Sequence, residues 1–302
     1  MPETWILLTL AAAGIQNVRS VLQKRMTARL SVLGSTFARF LYGFPLTLVF
    51  VAGVQSITGA DLPAPHGAFF GYAVLGGACQ VAGNILFIRL ITFANFTISA
   101  TYAKTETVLA ALVSWVVLGD MLSRLGFAGV LATFAGCVVI AAARQRLSLG
   151  WLLYAARDRA AQTGLAVGAL YAVASTCYRA GALSLGGESV ELAGVYTLAW
   201  VSAFQVTGLG VWLAWRQWSV VREVLVAWRQ AAWIGVAGTS ASACWYTAFA
   251  LQKTAYVLAV GQVEIVFAYL ASRYLFGERA TAVELFGIAV TVAGIVLVVL
   301  AR

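Results

Sequence analysis

The sequence predicts an all-α integral membrane fold of ten transmembrane helices, set out as two five-helix repeats of inverted topology. Three observations lead there. The 302 residues are 62% hydrophobic and only 10% charged, where a soluble chain is about half apolar and a quarter charged. Apolar runs of about twenty residues, the length that crosses the hydrocarbon of a bilayer, recur at regular spacing. The chain also matches itself when it is displaced so that Lys104 falls on Gln262.

In order, the apolar runs predict spans at 5–23, 34–57, 68–91, 96–118, 126–143, 163–184, 191–215, 230–251, 255–276 and 283–300. Met1–Glu3 has no basic stretch ahead of the first run, so no cleavable signal is expected. The longest polar gap, Arg144–Ala160, holds Trp151 and Tyr154 and reads as an amphipathic surface segment. It divides the chain into a first repeat (1–145), a basic connecting loop (146–161) and a second repeat (162–302).

The +9 net charge sits in short loops beside the spans, which points to a membrane surface and not to nucleic acid. Lys24, Arg25 and Arg29 follow span one. Arg144, Arg146, Arg157 and Arg159 follow span five, and Arg216, Arg222 and Arg229 follow span seven. The loops after even-numbered spans are nearly bare: "DLPAPH" and "GGESVE" carry no Lys or Arg. Cytoplasmic loops are the basic ones, so both termini are expected outside, in a bacterial inner membrane. His66 is the lone histidine and lies in a loop, which disfavours histidine metal sites and triads. Cys79, Cys137, Cys177 and Cys244 fall within spans without metal spacing and read as small buried hydrophobes. Nothing asks for a cofactor, and a monomer is the default, because ten spans suffice for a complete pathway.

The internal match pairs 104–139 with 262–297 without a gap. Identical pairs include Glu106/Glu264, Ser114/Ser272, Gly119/Gly277, Gly129/Gly287, Thr133/Thr291 and Gly136/Gly294, and Asp120 meets Glu278. A small slip then pairs Arg19 with Arg179 and Gln16 with Thr176. Each half has an odd number of spans, so equivalent helices must run in opposite directions, as in many secondary transporters.

The repeated module is a span with a central polar position, then Leu118-Gly119-Asp120 or Phe276-Gly277-Glu278, then "GVLATFAGCVVIA" or "GIAVTVAGIVLVV". It resembles the EamA family of the drug/metabolite transporter superfamily. The resemblance implies ten helices around a central cavity and transport by alternating access. It fixes no substrate, since members include exporters and importers of amino acids and metabolites. The chain departs from the family where many members carry Pro near the centre of spans four and nine; here Glu106 and Glu264 stand in that region.

A charge near mid-membrane costs a few kcal/mol even on mild scales, which makes "YAKTETVLAAL" (102–112) a candidate site. The repeat superposes Glu106 on Glu264, so both should approach the pseudo-two-fold axis. Two carboxylates at one cavity oppose each other's charge, which suits proton exchange. Lys104 is two residues from Glu106, faces elsewhere on the helix, and should pair across helices or line the cavity. Arg19, Arg39 and Arg179 are further cations within spans. Gln80 and Asn84 share one face of span three. Gln262 adjoins Glu264, and Tyr102, Tyr178, Trp245 and Tyr246 offer rings and polar tips. Against each of these stands a packing or ion-pair role. Arg89 and Arg273 lie near span ends and read as structural.

These residues point to a secondary transporter of a small polar metabolite, an amino acid or similar zwitterion, exported by alternating access with proton coupling. The carboxylates would carry protons or hold an amine, and Arg19, Arg39, Arg179 or Lys104 would hold an anionic group. The alternatives are efflux of cationic aromatic compounds and a non-transporting sensor or assembly protein. The absence of a span-borne Ser/His set or a nucleotide loop argues against an enzyme.

Overall fold

In the computed structural model of the chain, the described residues are 3–26, 29–93, 102–145, 159–275 and 281–301. They fold into helices and short connections. The helices are α1 (Thr4–Met26), α2 (Val32–Thr58), α3 (Gly67–Phe93), α4 (Glu106–Leu118), α5 (Arg124–Gln145), α6 (Arg159–Leu185), α7 (Val190–Arg216), α8 (Trp218–Val226), α9 (Trp228–Leu251), α10 (Thr254–Gly261), α11 (Glu264–Leu275) and α12 (Ala282–Leu300). Among the described residues, five helical stretches are long and apolar enough to cross a membrane: Val32–Thr58, Gly67–Phe87, Arg124–Ala143, Val190–Arg216 and Ala282–Leu300. They present apolar residues outward, as lipid demands: Val49, Val211 and Val296 are all at least half exposed.

Two expectations about elements need correction. Spans four and nine are not single uninterrupted helices, because each changes its hydrogen-bond pattern just before its glutamate. The segment between α7 and α9, expected as a basic loop, forms the amphipathic helix α8, which buries Val220, Val221 and Val224 and leaves Arg222 and Glu223 exposed. The connecting segment with Trp151 and Tyr154, and the Phe276-Gly277-Glu278 motif, lie outside the described residues.

The helices form two compact units, one made of 1–81 and 177–252, the other of 82–176 and 253–302. Each unit thus draws on both sequence halves, and α3 and α6 contribute to both. In the first unit, α1, α2 and α7 pack on α9. Phe37, Phe40, Leu209, Leu213, Val224 and Ile234 belong to its core. Glycine permits the α2–α9 crossing: a Cβ on Gly43 would lie 2.0 Å from Thr239 Oγ1, and one on Gly235 would lie 2.7 Å from Gly43 N. Tyr42 Oη donates to the Val224 carbonyl at 2.9 Å and ties α2 to α8.

In the second unit, α5 packs along α12 through small residues. A Cβ on Gly129 would meet the Gly294 carbonyl at 2.8 Å, and one on Gly136 would meet the Gly287 carbonyl at 2.7 Å. As the residue number rises along α5 it falls along α12, so these helices, equivalent in the repeat, run antiparallel. Small residues at such a contact let backbones approach closely, which is how helices associate when lipid supplies no hydrophobic drive.

Candidate functional site

The opening charges belong to the second unit. The chain is helical at Tyr102-Ala103, turns at Lys104-Thr105 and resumes as α4 at Glu106. Here the ladder tightens to three-residue steps: Thr105 N–H donates to the Tyr102 carbonyl at 3.1 Å, and Thr107 N–H to the Lys104 carbonyl at 3.2 Å. Between α10 and α11 the same bonds recur. Val263 N–H donates to the Val260 carbonyl, and Ile265 N–H to the Gln262 carbonyl, both at 3.0 Å. Each residue here is the repeat partner of its counterpart, so these two bonds recur in both interruptions. Short 3₁₀ stretches within a helix often mark a hinge; residues 102–107 contain no Gly or Pro, whereas Gly261 lies within the Val260–Val263 turn.

Both glutamates therefore stand in the first turn of a helix, where a carboxylate meets the positive end of the helix dipole. Across the two interruptions, the Lys104 ammonium pairs with the Glu264 carboxylate. The side chain of Gln262, the repeat partner of Lys104, donates from Nε2 to Thr107 Oγ1 at 3.2 Å and to the Leu258 carbonyl at 3.1 Å. Glu106 lies in electrostatic range of Lys104, with Ser175 beside its carboxyl. Two carboxylates and one ammonium thus share this place.

The helix ends here have local causes. Gly119 takes φ +69°, a left-handed cap that ends α4. Asp120 folds back to accept the Ser114 hydroxyl at 2.7 Å. The Leu118-Gly119-Asp120 motif is therefore a helix stop. Tyr102 packs its ring against Gly164 of α6, where an added Cβ would lie 2.2 Å from the Tyr102 Cβ.

The first unit holds a small polar cavity. Its lining includes Arg39 and Phe40 from α2, Gln80 from α3, Ser202 and Gln205 from α7, and Ser242 and Tyr246 from α9. Arg39 Nη2 donates to Ser242 Oγ at 3.1 Å. Gln205 Nε2 donates to Gln80 Oε1 at 2.7 Å. Tyr246 stacks on Tyr178 with ring centroids 4.1 Å apart, and Tyr178 Oη donates to the Gly76 carbonyl at 3.1 Å.

The other expected site residues have defined places. Arg179 is buried, and its Nη1 donates to the carbonyls of Phe249, Ala250 and Gln252 at 2.8, 3.3 and 2.8 Å. It caps the C-terminus of α9, where backbone carbonyls lack partners. Trp245 Nε1 donates to Gln16 Oε1 at 3.2 Å, joining α9 to α1. Arg19 is half-buried on α1. Gln80 and Asn84, expected to act on one face, have separate partners: Asn84 Oδ1 accepts the Tyr171 hydroxyl at 2.7 Å. Sequence reasoning missed Phe40, Ser202, Gln205 and Thr239. The stripe Ser202–Gln205, three apart on α7, was a readable signal of a polar helix face.

Apolar helices of crossing length define an integral membrane protein. Residues 3–142 match the EamA-like transporter family. Over residues 3–142 the chain is thus similar to the EamA family of the drug/metabolite transporter superfamily. A solved structure titled "Crystal structure of protein" is 15% identical and aligns over 100% of this chain and 99% of that one, with a TM-score of 0.70. That likeness is one of fold. The search of curated proteins found no match.

Proposed function

We propose that the protein is a proton-coupled secondary transporter of a small zwitterionic metabolite such as an amino acid, exporting it by alternating access. The observation that carries this reading is the Lys104–Glu264 ion pair set at two matched helix interruptions. Interrupted helices that present half-helix N-termini are a recurrent way to build transport sites within a membrane. Two carboxylates and one ammonium carry one net negative charge, and a single proton neutralises the set. A neutral set crosses between states at lower cost than a charged one. In this scheme Glu106 and Glu264 exchange the proton, and Lys104 responds by releasing or retaking Glu264.

The antiparallel approach of α5 and α12 supports an inverted repeat, with the ten-span arrangement and the rocking of two halves that follow from it. The loop charges support cytoplasmic odd-numbered loops, exterior termini and placement in a bacterial inner membrane. The test is a thermal-shift screen of purified protein against a metabolite panel at pH 5.5 and 7.5, since a ligand of the native state raises stability by mass action. The expected result is a zwitterionic hit whose shift depends on pH and is lost in Glu106→Gln or Glu264→Gln. A pH-independent hit retained by both variants contradicts the coupling role.

A further inference from the structure

We propose that the cavity of the first unit is the carboxylate subsite of the transported molecule, with Arg39 as the residue that binds the anionic group. This rests on the transporter reading and deepens it, because it selects one cation among four. Lys104 is engaged by Glu264. Arg179 is buried and spends its Nη1 on three backbone carbonyls of one helix end. Arg19 is not among the residues that line this cavity. Arg39 is half-buried and lines a cavity whose other lining residues are all uncharged. A cavity with one positive charge, and hydroxyls and amides around it, matches a carboxylate in charge and in acceptor capacity.

The side chain is built into its place. Its stem lies against Gly238, where an added Cβ would meet Arg39 Cγ at 3.0 Å and Nε at 3.1 Å. Its guanidinium donates to Ser242 Oγ at 3.1 Å and stands 5.4 Å from the centroid of the Phe40 ring. These contacts hold the fork from one side and reduce the freedom that ligand binding would otherwise cost. Gln205 donates to Gln80 across the same cavity at 2.7 Å, and Tyr246 supplies a ring. Arg39 is therefore the anion ligand, and Gly238 and Ser242 are positioning residues.

The test measures thermal stabilisation and equilibrium binding in detergent. The probes are the standard L-amino acids, their decarboxylated amines and their carboxamides, on the wild type and on Arg39→Gln, Arg39→Lys, Ser242→Ala and Gly238→Ala. The expected result is a wild-type preference for carboxylates over the matched amine and amide. Arg39→Gln should weaken carboxylate binding about 10–100-fold, the range for one charge-assisted contact, and abolish that preference. Arg39→Lys should recover part of it, and Gly238→Ala should weaken binding with the charge intact. Melting temperatures without ligand identify any variant that fails to fold, and the Arg39→Lys and Ser242→Ala pair then carries the test. Equal binding of carboxylate and amide by the wild type, undiminished binding by Arg39→Gln, or no binding of any carboxylate overturns the assignment. Transport of a carboxyl-free compound would overturn it too and still leave a transporter, so the two readings fail separately.

Discussion

Lys104 forms an ion pair with Glu264, and the two residues lie at helix interruptions that the internal repeat superposes. Gln262, the repeat partner of Lys104, reaches back to Thr107, next to Glu106. The two segments therefore meet through Lys104–Glu264 and Thr107–Gln262, with a cation at one of the paired positions and an amide at the other.

Removing that cation leaves the carboxylates uncompensated. Lys104→Met should destabilise the protein by about 3 kcal/mol, the scale for breaking a pair withdrawn from water. Adding Glu264→Gln should restore part of the loss. A double-mutant cycle on the midpoint of detergent-induced or thermal unfolding measures the coupling. A coupling energy near zero would mean that the pair is not formed in the membrane protein.

Arg179 should behave as a structural residue. Arg179→Gln removes the charged donor from three carbonyls at the end of α9 and should cost about 2–3 kcal/mol. Substrate affinity of the folded fraction should stay within about twofold, because the side chain is spent on backbone. Melting curves and binding isotherms on the same preparation separate the two effects, and a large loss of affinity at unchanged stability would move Arg179 into the site.

Gly136 sits where a Cβ would lie 2.2 Å from Thr291 Oγ1 and 2.7 Å from a backbone oxygen. The backbone cannot yield as a flexible side chain can. Gly136→Ala should therefore destabilise by about 1–3 kcal/mol, as overpacking does. Gly136→Ala combined with Thr291→Ser should remain destabilised, because the carbonyl of Gly287 stays in place. Thermal unfolding of purified variants tests this.

Gly119 ends α4 at positive φ. Gly119→Ala should cost about 1–2 kcal/mol through the left-handed backbone alone, and Asp120→Ala about 1 kcal/mol through the lost Ser114 bond. Neither change should alter ligand specificity, which binding competition measures directly.

Five span positions, 34–57, 68–91, 126–143, 191–215 and 283–300, were readable because apolar runs and stop signals agree. The run 191–215 becomes Val190–Arg216, capped by Ser189, whose hydroxyl accepts from Leu192 N–H. The interruptions were hidden because hydropathy continues through 102–112 and 255–267, and a tightened turn needs no Gly or Pro. Helix α8 was missed because nine residues are too few for a span, and Arg222 with Glu223 mimics a loop. Glu106, Glu264 and Lys104 stood out because charges are rare in apolar runs. The cavity was harder: Arg39 and Gln80 were visible as polar residues within spans, but Ser202, Gln205 and Thr239 join them only when α2, α3, α7 and α9 are packed.

Proton-driven flux tests the central claim most directly. Wild-type protein and the Glu106→Gln, Glu264→Gln double variant would be reconstituted in liposomes, and movement of the screened substrate followed under an imposed pH gradient. Uphill movement that collapses with the gradient in the wild type, with only downhill movement in the double variant, is the predicted result. Uphill movement of equal rate in both would contradict it.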